Sequence, residues 1–234
     1  MRLRSKPATT DLRAASRRCA SAARLRRPNR TSGRIEDEGL KESPARILVF
    51  DLDGTLVESA VDLMEALNFV LAGEGIAPAP VEAARRLLGK GGRALIKRGF
   101  ALAERTLDDE RLEILFEKFL AHYNAHIADH TVFYPGVVAF LDRCSALGWP
   151  LAVCTNKLEA SSKLLLGKLG ALDRFGFVCG QDTFRVGKPN PRPLLETIRA
   201  VGGEVSRAVM IGDSSTDIET ARAAGVPVVC VDFG

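Results

Sequence analysis

The sequence lacks the features that mark several large classes of protein. Its five cysteines are widely spaced and none forms a CxxC pair, which argues against a disulfide framework and a zinc site. No stretch reaches the roughly 18 consecutive apolar residues that a membrane-spanning helix needs, so no transmembrane segment is predicted. The glycine cluster at 89–93 has neither the spacing nor the Ser or Thr of a Walker loop. These absences favour a globular protein in a reducing, cytoplasmic setting.

Charge is distributed unevenly along the chain. Residues 1–34 carry eleven basic side chains against one acid, whereas the other 200 residues hold 22 Lys and Arg against 28 Asp and Glu. Residues 1–43 show no sustained apolar periodicity, and we predict that they form a basic, disordered leader. A transit peptide, an arm for nucleic acid or anionic membrane, and an extension without function all remain open for this leader.

From residue 46 onward, short apolar runs alternate with helical patterns, which is typical of parallel βα units. Strands are predicted at 47–50, 151–154, 177–179, 208–211 and 228–231, and helices at 137–147, 159–168, 193–201 and 215–224.

The segment 61–131 breaks this alternation, because it contains several helical patterns and no convincing strand. We therefore predict an α/β fold with a Rossmann-like parallel sheet core, formed by 44–60 and 132–234. An all-helical cap, 61–131, is inserted after the first strand. Such helices are able to cover the active edge of a sheet and exclude water.

Four short motifs follow predicted strand ends, where ligands bind in open α/β sheets. The first, DLDGTL, places Asp51 and Asp53 directly after the first strand. Two close carboxylates are a poor way to build a core, but they can divide into nucleophile and acid roles. An exposed Asp-Gly turn is the alternative for this motif taken alone.

The other three motifs are each weak alone and informative together. They are TNK at 155–157, GKPNPRP at 187–193 and GDSSTD at 212–217. A helix cap or a solvated turn would account for any one of them. Together they bring a hydroxyl, backbone amides, a lysine and further carboxylates to one sheet edge, and this combination describes a metal-assisted phosphoryl-transfer site.

The four motifs resemble, in order, those of the haloacid dehalogenase-like hydrolases, and the helical insertion resembles the cap of their phosphoglycolate phosphatase-like branch. The resemblance covers about residues 46–234. It implies that Asp51 is the nucleophile, and that Asp53 protonates the leaving alkoxide and then activates water. It also implies a Mg²⁺ cofactor.

The resemblance assigns further residues to this site. It implies that Thr155, Asn156 and Lys188 bind the phosphoryl group. The implied magnesium ligands are Asp51, Asp213 and the backbone carbonyl of Asp53, with Asp217 and Ser214 supporting the site. In cap-bearing relatives a glycine-rich loop contacts the leaving group, which makes Gly91, Arg93 and the neighbouring Lys90 candidates for substrate binding or for simple solvation.

The predicted function is hydrolysis of a small phosphate monoester, with phosphoglycolate the best single substrate. A sugar-phosphate or nucleotide phosphatase and a phosphomutase stay open, whereas Asp53 argues against dehalogenation. A non-catalytic binding protein is a remote alternative. Nucleic acid and membrane partners are not expected, and the protein is predicted to be a monomer or homodimer. The sequence stops at Gly234, soon after its last predicted strand, whereas family members usually continue.

Overall fold

The computed structural model describes residues 46–80 and 90–234. The predicted leader and residues 81–89 of the predicted cap lie outside these ranges. The strands are Ile47–Phe50 (β1), Val57–Glu58 (β2), Val132–Phe133 (β3), Leu151–Cys154 (β4), Phe177–Cys179 (β5), Ala208–Gly212 (β6) and Val228–Cys230 (β7). The α-helices are Ala60–Gly73 (α1), Gly92–Leu102 (α2), Asp109–Ala125 (α3), Val137–Ala146 (α4), Glu159–Lys168 (α5), Pro191–Ala200 (α6) and Ser215–Ala224 (α7).

Five strands form a parallel sheet in the order β5-β4-β1-β6-β7. Every residue of β1 and of β4 is buried, as expected for a parallel sheet whose two faces are covered by helices. Because β1 lies at the centre, the segments that follow β4 and β6 emerge beside the segment that follows β1. The sheet therefore gathers three of the four motifs at one edge.

The predicted helices and strands of the core are present, with small differences at their ends. The helix predicted from residue 193 begins at Pro191, because Asn190 accepts a hydrogen bond from the backbone N–H of Arg192 and proline suits the first helical position. The last strand ends at Cys230 rather than 231. The fold class predicted from the sequence, a parallel sheet core with an inserted helical cap, is confirmed.

The three helices α1, α2 and α3 pack against one another and form the described part of the cap. Their buried apolar faces share one core with the adjacent face of the sheet. Gly99 lets α2 approach α1 closely, since a Cβ at this position would lie 3.1 Å from a Leu71 methyl. In the described ranges, no helix is both long and apolar enough to span a membrane.

An antiparallel ribbon stands where the chain enters and leaves the cap. Its strands are β2 and β3, which pair Val57 with Phe133 and Glu58 with Val132. The sequence did not reveal this ribbon, because two-residue strands are too short to show an alternating pattern.

The base of the cap is held by the carboxylate of Asp62 on α1. Its oxygens accept hydrogen bonds from the backbone N–H groups of His130 and Thr131, at 3.0 and 2.9 Å, and from the Thr131 hydroxyl at 2.6 Å. Asp62, Glu65 and His130 lie close enough to suggest a metal cluster. These three bonds, however, already give the buried Asp62 carboxylate a structural role.

We expect Asp62→Ala to lower the free energy of unfolding by about 2–3 kcal/mol, because it leaves buried donors without an acceptor. Chemical denaturation followed by circular dichroism measures this change. The matched control is Glu65→Ala on the same helix, whose side chain is 51% exposed and whose loss should cost less than about 0.5 kcal/mol. Equal effects of the two substitutions would contradict the assigned role of Asp62.

Candidate active site

The nucleophile candidate lies at the centre of the sheet's carboxyl edge. Asp51 follows β1 directly, and its backbone N–H donates to the Ile211 carbonyl of β6 at 2.9 Å. Its side chain is 1% exposed, and the backbone N–H of Leu52 donates to Oδ1 at 2.7 Å. The carboxylate therefore has a fixed orientation in a dry environment, which is what a preorganised reacting group needs.

A buried ion network surrounds this carboxylate. Nζ of Lys188 lies 3.0 Å from Oδ1 of Asp51 and 2.6 Å from Oδ1 of Asp217, and all three side chains are at most 1% exposed. Buried charges are tolerated only when they are paired in this way. Asp217 belongs to α7, where it completes a capping box with Ser214. The Asp217 carboxylate therefore belongs both to the N-terminal capping box of α7 and to the ion network.

The network changes the acidity of its members. Burial raises the pKa of Asp51 from 3.8 to about 7, even though Lys188 opposes this shift. Burial alone would lower the pKa of Lys188, but the carboxylates of Asp51 and Asp217 outweigh it and raise that pKa. Lys188 supplies one positive charge to two neighbouring carboxylates, Asp51 and Asp217. Without a further cation, the site therefore does not fully stabilise both of them in their charged forms.

The acidic residues of this edge form a cluster suited to a hard cation. Asp51, Asp213 and Asp217 each offer an oxygen within 4.8 Å of the others. Oδ2 of Asp51 is buried and has no hydrogen-bond partner within the described residues, so one oxygen is left for a ligand. Asp213 is held by the Thr55 hydroxyl at 2.7 Å. Carboxylate oxygens are the ligands that Mg²⁺ and similar cations prefer.

The second aspartate of DLDGTL faces a different set of groups. Nζ of Lys157 contacts both carboxylate oxygens of Asp53, at 2.9 and 2.8 Å, and the Ser59 hydroxyl donates to Oδ1 at 2.6 Å. The side chains of Lys157 and Asp53 are only 7% and 9% exposed. Asp51 and Asp53 therefore have separate cationic partners, an arrangement that allows two carboxylates to act differently.

The TNK motif connects β4 to the loop that carries Lys188. Thr155 follows β4, and its backbone N–H donates to the Cys179 carbonyl. The Asn156 side chain accepts from the Lys188 N–H at 2.8 Å and donates to the Lys188 carbonyl at 3.0 Å. Asn156 thus clamps the backbone of the loop that carries Lys188. The structure places Thr155 and Asn156 at the carboxyl end of β4, and Asn156 brings the Lys188 loop to the same place.

A pocket opens between this edge and the cap, with an empty volume of about 580 Å³ including its solvent-open part. Apolar side chains of the cap form much of its wall, and Asp53, Asn156 and Lys157 form part of its polar side. Gly91 lines the pocket, with φ +83°, a backbone conformation that favours glycine.

Two cap cations considered for substrate binding do not line this pocket. The Arg93 guanidinium forms a paired hydrogen bond with Glu113, at 2.8 and 2.6 Å, and stacks over the Phe116 ring. Lys90 is exposed. A role for either residue in substrate binding stays a prediction, and for Arg93 it would require the guanidinium to leave Glu113.

Comparison with known proteins decides the family. The model of the haloacid dehalogenase-like hydrolases matches residues 48–231. The chain belongs to this family. A phosphoglycolate phosphatase of Mesorhizobium japonicum is 48% identical over 188 residues, covering 80% of this chain and 83% of the relative. One from Caulobacter vibrioides is 47% identical over 187 residues, covering 80% and 79%.

A solved structure gives the same result. The crystal structure of a predicted phosphoglycolate phosphatase from Haemophilus somnus superposes with a TM-score of 0.76 at 28% identity, covering 81% of this chain and 86% of that one. The resemblance to haloacid dehalogenase-like hydrolases inferred from the four motifs is therefore confirmed.

Sequence reasoning missed two residues of this haloacid dehalogenase-like site. Lys157 stands in the quoted TNK motif, and its position next to Asn156 was the available signal. Tyr123 extends the apolar stripe of α3 by one helical turn beyond Phe119 and lines the pocket. From the sequence alone, a residue in such an apolar stripe is predicted to lie in the hydrophobic core, and a pocket position is recognised only once the neighbouring elements are known.

Proposed function

We propose that this hydrolase removes phosphate from a small phosphate monoester, with 2-phosphoglycolate as its substrate and Mg²⁺ as its cofactor. The observation that carries the proposal is the buried Asp51 carboxylate, which contacts Lys188, belongs to the acidic cluster and keeps one oxygen without a hydrogen-bond partner among the described residues. Similarity to phosphatases named for phosphoglycolate supports the substrate.

In the proposed reaction, an Asp51 oxygen forms a bond to phosphorus while the bond from phosphorus to the ester oxygen breaks. Asp53 in its protonated form gives a proton to that ester oxygen, so that the alcohol leaves. Asp53 is then a carboxylate and accepts a proton from water, which attacks the aspartyl phosphate. The water oxygen bonds to phosphorus while the bond from phosphorus to Asp51 breaks, which releases inorganic phosphate and leaves Asp51 as a carboxylate and Asp53 protonated.

The remaining residues of the site act on charge and position. Lys188 would offset negative charge that develops on the phosphoryl oxygens, and Thr155 would hydrogen-bond one of them. Asp51, Asp213 and the Asp53 carbonyl would hold Mg²⁺, with Asp217 and Ser214 behind them. Bound Mg²⁺ would reduce the repulsion between the Asp51 carboxylate and the phosphate dianion. The boundaries 44–60, 61–131 and 132–234 for core and cap are part of this proposal.

The experiment is a phosphate-release assay of the purified protein against 2-phosphoglycolate, sugar phosphates and nucleotides. With Mg²⁺ we expect kcat/KM for 2-phosphoglycolate to exceed that for every other ester. Chelation of the metal should reduce turnover by a factor on the order of 10³ or more, since the charge repulsion returns, and added Mg²⁺ should restore it. Full activity in excess chelator, or no turnover of any ester, would refute the proposal.

A further inference from the structure

Tyr123 lines the pocket, and its hydroxyl is buried without an assigned role. Tyr123 is 2% exposed, and its Oη makes no hydrogen bond of ordinary length and angle within the described residues, although the Lys157 ammonium lies beside it. A buried hydroxyl without a partner is costly, and such groups in native proteins call for a ligand or another explanation. Burial raises the pKa of Tyr123 to about 12, so the phenol remains a hydrogen-bond donor at neutral pH.

Lys157 lies next to this hydroxyl-bearing ring. Its Nζ is 4.6 Å from the Tyr123 ring centroid and contacts both oxygens of Asp53. Among the described residues that line the pocket, Lys157 is the only one with a positive charge. An ammonium group has three donors, and the two Asp53 oxygens leave one of them, which either the Tyr123 oxygen or a substrate oxygen can accept.

We propose that Tyr123 Oη and Lys157 Nζ form a subsite for the carboxylate of the substrate's leaving group. The inference rests on the proposed function and deepens it. Asp53 must reach the ester oxygen to protonate it, and in 2-phosphoglycolate a single methylene separates that oxygen from the carboxylate carbon. A substrate within reach of Asp53 therefore brings its carboxylate to Lys157, which contacts the same aspartate.

Besides Tyr123 and Lys157, the polar side chains that line the described pocket are Asp53, Asn156, Ser161 and Gln181, and none of these is a cation. Leu63, Leu95, Phe116 and Phe119 form an apolar surface around the subsite, and a carboxylate is stable in such surroundings only beside a cation and a hydrogen-bond donor. Tyr123 and Lys157 supply one of each. The cap and the core thus each contribute one group to substrate choice.

The test compares 2-phosphoglycolate with ethyl phosphate, which has the same two-carbon chain and no carboxylate. In Tyr123→Phe we expect kcat/KM for 2-phosphoglycolate to fall about tenfold more than that for ethyl phosphate, as for loss of a hydrogen bond to a charged group. The matched control is Tyr134→Phe, at the chain's other tyrosine, whose hydroxyl meets Glu58 outside the pocket. It should leave the ratio of the two substrates unaltered.

Equal losses on both esters, or no loss on either, would overturn the subsite. If the wild-type protein hydrolyses neither ester, the proposed function has failed and calorimetric binding with Mg²⁺ present decides the subsite. A tenfold weaker affinity of Tyr123→Phe for 2-phosphoglycolate, with a smaller change for ethyl phosphate, would support it. Equal affinities of the two proteins for 2-phosphoglycolate would overturn it.

Discussion

Asp51→Asn is expected to reduce kcat by a factor on the order of 10⁴ or more, as loss of a residue that forms the covalent intermediate does. The amide has nearly the shape of the carboxylate but is a very weak nucleophile. It also takes one negative charge from the acidic cluster. The phosphate-release assay measures kcat, and denaturation at pH 8 reports whether the fold survives.

The same substitution should not weaken the fold. Because burial raises the pKa of Asp51 to about 7, its charged form is disfavoured in the folded protein, so a neutral amide should leave the free energy of unfolding equal or higher at pH 8. Asp142→Asn, at an exposed carboxylate paired with Arg174, is the matched control and should keep full activity. Appreciable turnover by Asp51→Asn would disprove the covalent mechanism.

Lys188→Ala is expected to abolish turnover and to destabilise the protein by about 3–5 kcal/mol at pH 8, the cost of leaving buried charges uncompensated. Asp51 and Asp217 are both at most 1% exposed and share this one ammonium group. Denaturation in the absence of Mg²⁺ measures the effect. The double variant Lys188→Ala with Asp217→Asn should recover part of the loss, because it removes one of the unpaired charges.

The destabilisation should depend on pH. The folded-state pKa of Asp51 lies above its ordinary value of 3.8, so folding takes up a proton and stability from this group is lost as pH rises from about 4 through about 7. Lys188 lowers the pKa of Asp51. Removing Lys188 should therefore raise that pKa further and extend the pH range of this loss of stability upward. The penalty of Lys188→Ala should therefore be smaller at pH 6 than at pH 8. A penalty independent of pH would show that Asp51 does not titrate in this range.

Much of the core could be predicted from the sequence because its signals are local. The apolar strand and the two aspartates that follow it, Asp51 and Asp53, lie within ten residues of one another. The other motifs also follow predicted strands, and the carboxyl ends of parallel strands meet at one sheet edge. Helix ends were less certain: the helix capped by Asn190 begins at Pro191, two residues before the predicted start, because the cap bond and not the apolar pattern sets where it begins.

The pocket could not be predicted in the same way. Lys157 contacts Asp53 across 104 positions of the chain, and Tyr123 joins them only through the packing of a cap helix. An apolar stripe predicts that one face of a helix is buried, but it does not predict which element packs against that face. For the same reason Arg93, which the sequence suggested for substrate binding, lies against Glu113 and Phe116.

The short ribbon of β2 and β3 has a consequence for how the insertion is joined to the sheet domain. The chain enters and leaves the insertion through two paired strands, with Val57 opposite Phe133. The two ends of the insertion are therefore neighbours. An insert with neighbouring ends adds little strain to its host, whatever its length. A change within the insert is therefore expected to leave the strand register of the sheet unaltered, as long as the cap residues that share a core with the sheet stay apolar.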